Sequence, residues 1–544
     1  MKKYLTILLN QHTDLKILKT LKYNIRVIIS MNRKYLIAIL AIVVIICIAA
    51  FAMTNTTETH NSSVNVDANA LEDVGNLIVN GSEESKEKEL YTSKESDVNG
   101  ILVTNNGKLS LKDSIVNKTG DTQSSEEGAD FYGVNSGILV NSNGTLDISN
   151  VEIITNSKGS NGIFVTNTDS GNLDSSQNSG NENQQPQAEG NGGDGSQPPE
   201  AAGNGGGDGG QPPEMPSGDG QGEGNGQSGG ADSSGSSEVS GNTEATINNV
   251  KITTYSDKSR GLDATYGGKI TANNIEINTN GQSCAALATD RGEGEVTVDN
   301  SNINTGVDQK SGRGSPLIYS TGNITLKNSQ GTSYVSQIGC IEGKNSITLE
   351  NCDLTGYAEG NRQDGSEYVD LGGIFIYQSM SGDADVGTSL FDAKNSKLSI
   401  AEDSSVYKTA PMFHITNTAC VVNLENTELN FGSNIFLESS GQNQWGTTGS
   451  NGGVCELNTN NEKIEGNVIV DDISSLNWSM KNTEFKGAVN STGNTTVNVA
   501  DGSTWTLTGD SSVSSLELSG NIEYGDYSLT VNGQTYNSQN PFKG

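Results

Sequence analysis

The chain has 544 residues, of which 32% are hydrophobic and 67 are glycine, and it carries a formal net charge of −33. So little apolar side chain excludes an ordinary compact core of this length and leaves disorder or a thin repetitive core with polar turns. The acidity repels phosphate backbones, which argues against nucleic-acid partners. It suits a solvated acidic surface that attracts cations.

The charge is unevenly placed. Lys2, Lys3, Lys16, Lys19, Lys22, Arg26, Arg33 and Lys34 all precede residue 54, opposed there only by Asp14. Residues 1–34 therefore read as a basic cytoplasmic segment. Met31 opens a second compact start, MNRK, so 1–30 also fit an overcalled gene start. Residues 35–53, YLIAILAIVVIICIAAFAM, carry no charge. As a helix they reach about 28 Å, close to a bilayer's hydrocarbon core. With Arg33 and Lys34 before the run and an acidic stretch after it, the positive-inside bias predicts a single-pass transmembrane or signal-anchor helix with the C-terminal region extracellular. Ala50-Phe51-Ala52 is a small-x-small pattern of the signal-peptide kind, so cleavage near Ala52 and secretion stay open. Either way the remainder is exported. Residues 54–74 read as a polar stalk.

Degenerate repeats follow. GILVTNNGKLSLKDSIVNKTG (100–120) aligns with GILVNSNGTLDISNVEIITNS (137–157), placing Ile101, Val103, Leu109 and Leu111 against Ile138, Val140, Leu146 and Ile148. Copies recur at 162–167, 261–281, 284–306, 316–329 and 340–356, more loosely at 373–379 with 396–406, at 412–431, and at 494–520. Each holds short alternating runs separated by Gly, Asn, Asp and Ser, the pattern of half-buried strands joined by sharp turns. A strand cluster of this size cannot bury its apolar side alone, but stacked copies can. The predicted fold is all-β: a single-stranded right-handed parallel β-helix, or solenoid, over 75–167 and 242–535. Asn150, Asn274, Asn300, Asn328, Asn351 and Asn426 each precede a final apolar run, as in NVEI, NIEI and NCDL. Their recurrence predicts a structural ladder at a bend, each side chain bonding backbone groups of its own or an adjacent rung.

Between the two stretches, residues 168–241 hold almost nothing to bury and repeat QPPE, so they read as a disordered insertion. Residues 536–544 read as a frayed C-terminus with neither a second apolar span nor an LPxTG-like signal.

The repeat motif GILV…NG.L.I.N..I, the late runs GSTWTLTGDSSVSSLELSG (502–520) and YSLTVNG (527–533), and the QPPE…QPPEMPSGDG insert carry a resemblance. Over roughly 75–168 and 242–535 the chain resembles right-handed parallel β-helix proteins of the pectin-lyase-like fold. In particular it is similar to adhesin-like surface proteins of methanogenic archaea and gut Firmicutes. The resemblance implies a fold; its members include enzymes and adhesins, so it does not imply one activity.

Chemical signals are sparse. His12, His60 and His414 are the three histidines, and no HExxH or CxxC occurs, so no transition-metal site and no cofactor is expected. Cys284, Cys340, Cys352, Cys420 and Cys455 read as free buried thiols, with a Cys340–Cys352 contact as the alternative. Carbohydrate chemistry has two local candidates: Arg362, Asp364, Glu367 and Asp370 in RQDGSEYVD, and Asp290, Arg291 and Glu293 in TDRGEGE. In so acidic a chain both read as exposed rung turns, and no catalytic residue is assigned. Trp445, Trp478 and Trp505 with Tyr319, Tyr357, Tyr368 and Tyr377 are either sugar-stacking platforms or fillers of the coil. The leading expectation is a non-enzymatic, adhesin-like or envelope structural protein touching surface glycans or proteins of other cells, with the membrane as its other partner. The alternatives are a polysaccharide lyase or glycoside hydrolase, and a passive spacer.

Overall fold

The structure, a computed structural model, describes residues 64–124, 126–168, 241–308 and 313–543. The apolar run 35–53, the basic segment before it and residues 169–240 lie outside these. Among the described residues no helix is long and apolar enough to cross a membrane.

The molecule is all-β, built from large parallel sheets in a repetitive, solenoid-like stack. One sheet has 22 strands, a second has 13, and a four-stranded sheet joins them towards the C-terminus. Every rung lays its strands in register on the rung before. In the 13-stranded sheet Ile101 pairs with Ile138, Ile138 with Ile163, Ile163 with Leu262, and Leu262 with Leu287. All five are fully buried. Residues far apart in sequence thus become one apolar column, and burying that column is what a single rung cannot do. The strands Thr145–Thr155 and Glu244–Thr254 also pair directly, Leu146 against Ala245 and Ile148 against Ile247. The two repeat stretches are therefore one continuous stack.

Why a rung bends is visible in the 11-residue strand Lys269–Thr279. Ile270 and Ala272 point inward, and so do Ile275 and Ile277. The parity switches at Asn274, whose φ is +53°. One left-handed residue between two extended runs shifts the alternation by one, so both runs face the interior. Asn150, Asn300, Asn328, Asn351 and Asn426 also have positive φ, between 46° and 54°, and Asn249, Asn395 and Asn461 occupy the same place. Their amides bond rung to rung: Asn249 Nδ2 to Asn150 Oδ1 at 3.2 Å, Asn274 Nδ2 to Asn249 Oδ1 at 3.1 Å, Asn351 Nδ2 to Asn328 Oδ1 at 2.9 Å. A ladder is present, but it is bonded side chain to side chain and not to the backbone groups expected, and it is interrupted at Asn300, where Asn328 Nδ2 reaches Asp299 Oδ1 instead. The Asn-Gly turns have a second constraint. A Cβ on Gly107 would lie 2.4 Å from Val79 O, and one on Gly144 2.6 Å from Val103 O, so only glycine lets consecutive rungs approach.

Towards the C-terminus the core becomes aromatic. Phe391, Phe413, Phe436, Trp478, Phe485 and Trp505 touch in turn, with centroids 4.6–5.8 Å apart. Two expectations at the ends are corrected. Strand structure begins at Glu72–Gly75, inside the stretch read as stalk. The C-terminal residues fold back instead of fraying: Leu529–Val531 and Gln534–Tyr536 form an antiparallel pair, Phe542 N donates to Tyr524 OH at 2.9 Å, and Phe542 packs edge-on to Tyr536. An antiparallel turn there closes the open edge that a parallel stack would otherwise present.

The Asn ladder combines a backbone requirement with a side-chain bond, and substitutions separate them. Asn274→Gly keeps the positive φ and loses the amide bond, at a cost of about 1 kcal/mol. Asn274→Val adds backbone strain, for a total of roughly 2–4 kcal/mol. Urea unfolding of the two variants should show that order, and equal losses would contradict the account of the bend.

Candidate functional site

The outward face of the 13-stranded sheet carries one register column in which Phe164, Asp263, Ala288, Tyr319, Cys340, Phe375 and His414 follow each other on successive rungs. Outward positions of a solenoid normally meet water. Here the column is covered by excursions between rungs. The helix Glu126–Tyr132 precedes the rung of Ile138. The segments 357–372, 379–387 and 441–450 lie further along the stack. Between column and excursions is a cavity of about 230 Å³.

Its floor is a buried ionic cluster. Arg260, 8% exposed, places Nη1 2.6 Å from Asp130 Oδ1. Its Nη2 lies 2.7 Å from Asp290 Oδ2, an ion pair without an aligned N–H. Lys258 Nζ adds a contact of 3.2 Å to Asp130 Oδ2. Asp130 comes from the helix, Arg260 and Asp290 from consecutive rungs, so the pairs also pin the helix to the sheet. Behind them Asp263 is fully buried, with neither carboxylate oxygen accepting a hydrogen bond. Burial, and then the neighbouring Asp290 charge, raise the Asp263 carboxyl well above the usual carboxylate range, and Arg260 offsets this only in part. Asp290 is also raised, by burial, with Arg260 opposing. Both carboxyls are thus shifted towards the protonated form. Asp130 is penalised by burial too, but Arg260 and Lys258 outweigh that and leave it below its ordinary value.

One wall is aromatic. Phe375 lies 4.7 Å from Tyr377 and 5.3 Å from Trp445, centroid to centroid, and Tyr377 lies 5.4 Å from Trp445. Tyr319 joins them and donates its hydroxyl to Glu342 Oε2 at 3.0 Å. Glu342, 1% exposed, also accepts from Ser379 N at 3.2 Å and from the Ser379 hydroxyl. Trp445 is fixed through its carbonyl, which accepts Asn451 Nδ2 at 2.7 Å. Opposite, the carboxylate of Asp370 accepts the backbone N–H groups of Asn361 at 2.7 Å and Arg362 at 3.0 Å. Burial raises its carboxyl and those two bonds oppose the shift.

The structure divides the residues singled out in the sequence. Asp290 and Asp370, read as exposed turns, are 4% and 6% exposed and line the cavity with Arg362. The reason is register: both stand where an excursion folds back over the sheet. Asp364 and Glu367 are the exposed tip of a two-residue hairpin, Glu293 pairs with Lys344, and Arg291 lies 3.6 Å above the Phe131 ring and bonds Asp383. Trp445, Tyr319 and Tyr377 meet in the cavity, whereas Trp478 and Trp505 fill the core. Tyr357 donates to Asp403 at the surface and Tyr368 lies under Arg313. His414 is structural: Nδ1 is 3.0 Å from Leu371 O and the ring sits edge-on to Phe375; His12 and His60 lie outside the described residues. The five described cysteines are free and buried; Cys340 packs under Trp445 and Cys352 in the core, so the two do not meet. Among the described residues no group of His, Cys, Asp and Glu is arranged to hold a metal ion.

Sequence reading missed Asp130, Arg260, Asp263, Glu342 and Phe375. Asp263 carried a usable signal: in GLDATY it stands where the aligned copies GILV and GIFV have Leu or Phe. The helix carrying Asp130 belongs to no repeat. No protein-family model matches the chain, and no curated protein matches it.

The raised Asp263 carboxyl has a consequence for stability. Asp263 keeps its proton in the folded chain at pH values where the unfolded chain, with an ordinary value of 3.8, has lost it. The folded state then binds more protons, so this contribution to stability falls as pH rises above that value and through the raised one. Asp263→Asn removes it. The variant should gain stability relative to the parent as pH rises from acid to neutral, as read by urea unfolding across pH. A variant whose stability relative to the parent does not change with pH would refute the raised carboxyl.

Proposed function

We propose that the chain is an adhesin-like, membrane-held surface protein whose stack is a right-handed parallel β-helix of the pectin-lyase-like kind, and that its covered cavity binds glycan. Parallel strands joined within one sheet cross over right-handed in nearly all proteins, which supports the handedness. The apolar run 35–53 and the basic residues before it support an anchor with residues 54–544 outside. The observation that carries the binding reading is the gathering of Tyr319, Phe375, Tyr377 and Trp445 on one wall, facing carboxylates and a guanidinium. Aromatic faces suit the C–H faces of a pyranose, and carboxylates and arginine suit its hydroxyls.

Asp290, a carboxyl raised by burial that lines the cavity, favours a second reading, hydrolysis of a glycosidic bond. A protonated carboxyl beside a sugar oxygen is what general-acid cleavage needs. Release of new reducing ends from a bound glycan tests it.

The detergent-solubilised full chain, probed against an array of oligosaccharides, should retain a defined subset. Trp445→Ala should weaken that binding about tenfold or more, while Lys463→Gln, on the four-stranded sheet, should leave it unchanged. No retention above a heat-denatured control would sink the glycan reading.

A further inference from the structure

The cavity's charges are unequally satisfied. Every cation of the floor is already paired: Arg260 with Asp130 and Asp290, Lys258 with Asp130. Arg291, beside the floor, is paired with Asp383. The reverse does not hold. Asp370 lines the cavity, is buried and accepts only backbone N–H groups; Glu342, also buried, stands behind the lining Tyr319 and accepts only from it and from Ser379. Among the described residues neither makes an ion pair. The exposed Arg362 at the rim is the weakest of the influences on Asp370. A buried carboxylate without a cation is costly, and an arriving positive charge would relieve that cost.

The aromatic wall points the same way. The ring faces of Trp445 and Tyr377 present negative potential, which attracts an organic ammonium most strongly where water is excluded. An anionic ligand would instead meet carboxylates whose neutralising bases are already engaged. A protein with a net charge of −33 also draws cations towards any of its pockets.

We infer that the cavity is specific for an amino sugar with a free ammonium group, seated between Asp370 and the Trp445–Tyr377 wall, with the Glu342 charge behind Tyr319. This inference rests on the glycan reading of the same cavity and names its substrate class. Four rings spread along one wall make a platform broader than a lone lysine ammonium requires, which favours a pyranose ring over a lysine side chain. A uronate is disfavoured on charge, because Arg362, the lining cation without an ion pair among the described residues, is exposed at the rim. An N-acetylated sugar keeps the ring contacts and loses the ionic one.

The test uses the full chain in detergent and calorimetry with three probes: an oligomer of glucosamine, the same oligomer fully N-acetylated, and an oligogalacturonate. The glucosamine oligomer should bind about tenfold or more tighter than its acetylated counterpart, and the oligogalacturonate should not bind. Glu342→Gln and Asp370→Asn should each reduce the preference severalfold and leave binding of the acetylated oligomer within twofold (about) of the parent. That second readout separates a specificity role from unfolding. Should Asp370→Asn disturb the excursion it caps, Glu342→Gln with an unchanged melting temperature decides. Equal affinity for the free and acetylated oligomers overturns the inference but leaves the glycan reading standing. Binding of the galacturonate, or of oligolysine in place of any sugar, also overturns it. Binding of no sugar at all overturns both.

Discussion

Everything in this molecule depends on parallel strands stacking in register, rung upon rung. That constraint turns a position in a degenerate repeat into a column in space. Ile101, Ile138, Ile163, Leu262 and Leu287 form one such column, and its burial supplies the apolar contact that no rung has alone. Asn150, Asn249 and Asn274 form another, where a left-handed backbone residue turns the chain and its amide ties it to the next rung. The same rule applied to outward positions places Asp263, Tyr319, Cys340, Phe375 and His414 in line. Register is unforgiving because a slip of one residue would exchange the inward and outward sets.

What distinguishes this outward column is its cover. A helix and three excursions from other rungs exclude water from it, and exclusion changes the worth of every charge beneath. Arg260 can hold two carboxylates there only because Asp130 arrives on the helix and Asp290 on the next rung. Such a cluster is a poor device for stability, since apolar packing of the same volume would serve at least as well. Its presence beside a cavity, with the Asp263 carboxyl raised by burial, is the arrangement that binding sites use and solenoid scaffolds do not need. Aromatic side chains divide along the same line. Trp478 and Trp505 are core, while Trp445 belongs to an excursion and faces the cavity.

The stack was legible because the physics that builds it is local. Alternation, Asn-Gly turns and a recurrent Asn before the last run are visible in a window of about 20 residues. The two ends were harder: Glu72–Gly75 and Gln534–Tyr536 are polar strands that pair with neighbours which no repeat alignment contains. The site was least legible of all. Asp130 and Arg260 are 130 positions apart, and Asp370 and Trp445 approach one cavity only after excursions of different length fold back. RQDGSEYVD illustrates the limit: Asp364 and Glu367 are the hairpin tip, while Asp370, in the same charged run, is buried against Gly360. Sequence spacing does not tell these apart. The substitution of Asp263 into an otherwise apolar strand position was the one local mark of the site.

The central claim is that this covered cavity, and no other surface, receives the ligand. A crystal structure of the chain soaked with a glucosamine oligomer tests it most directly. The account predicts a pyranose stacked on Trp445, with its ammonium within hydrogen-bond distance of Asp370. Sugar density elsewhere on the stack, with the cavity empty at saturating ligand, would contradict it.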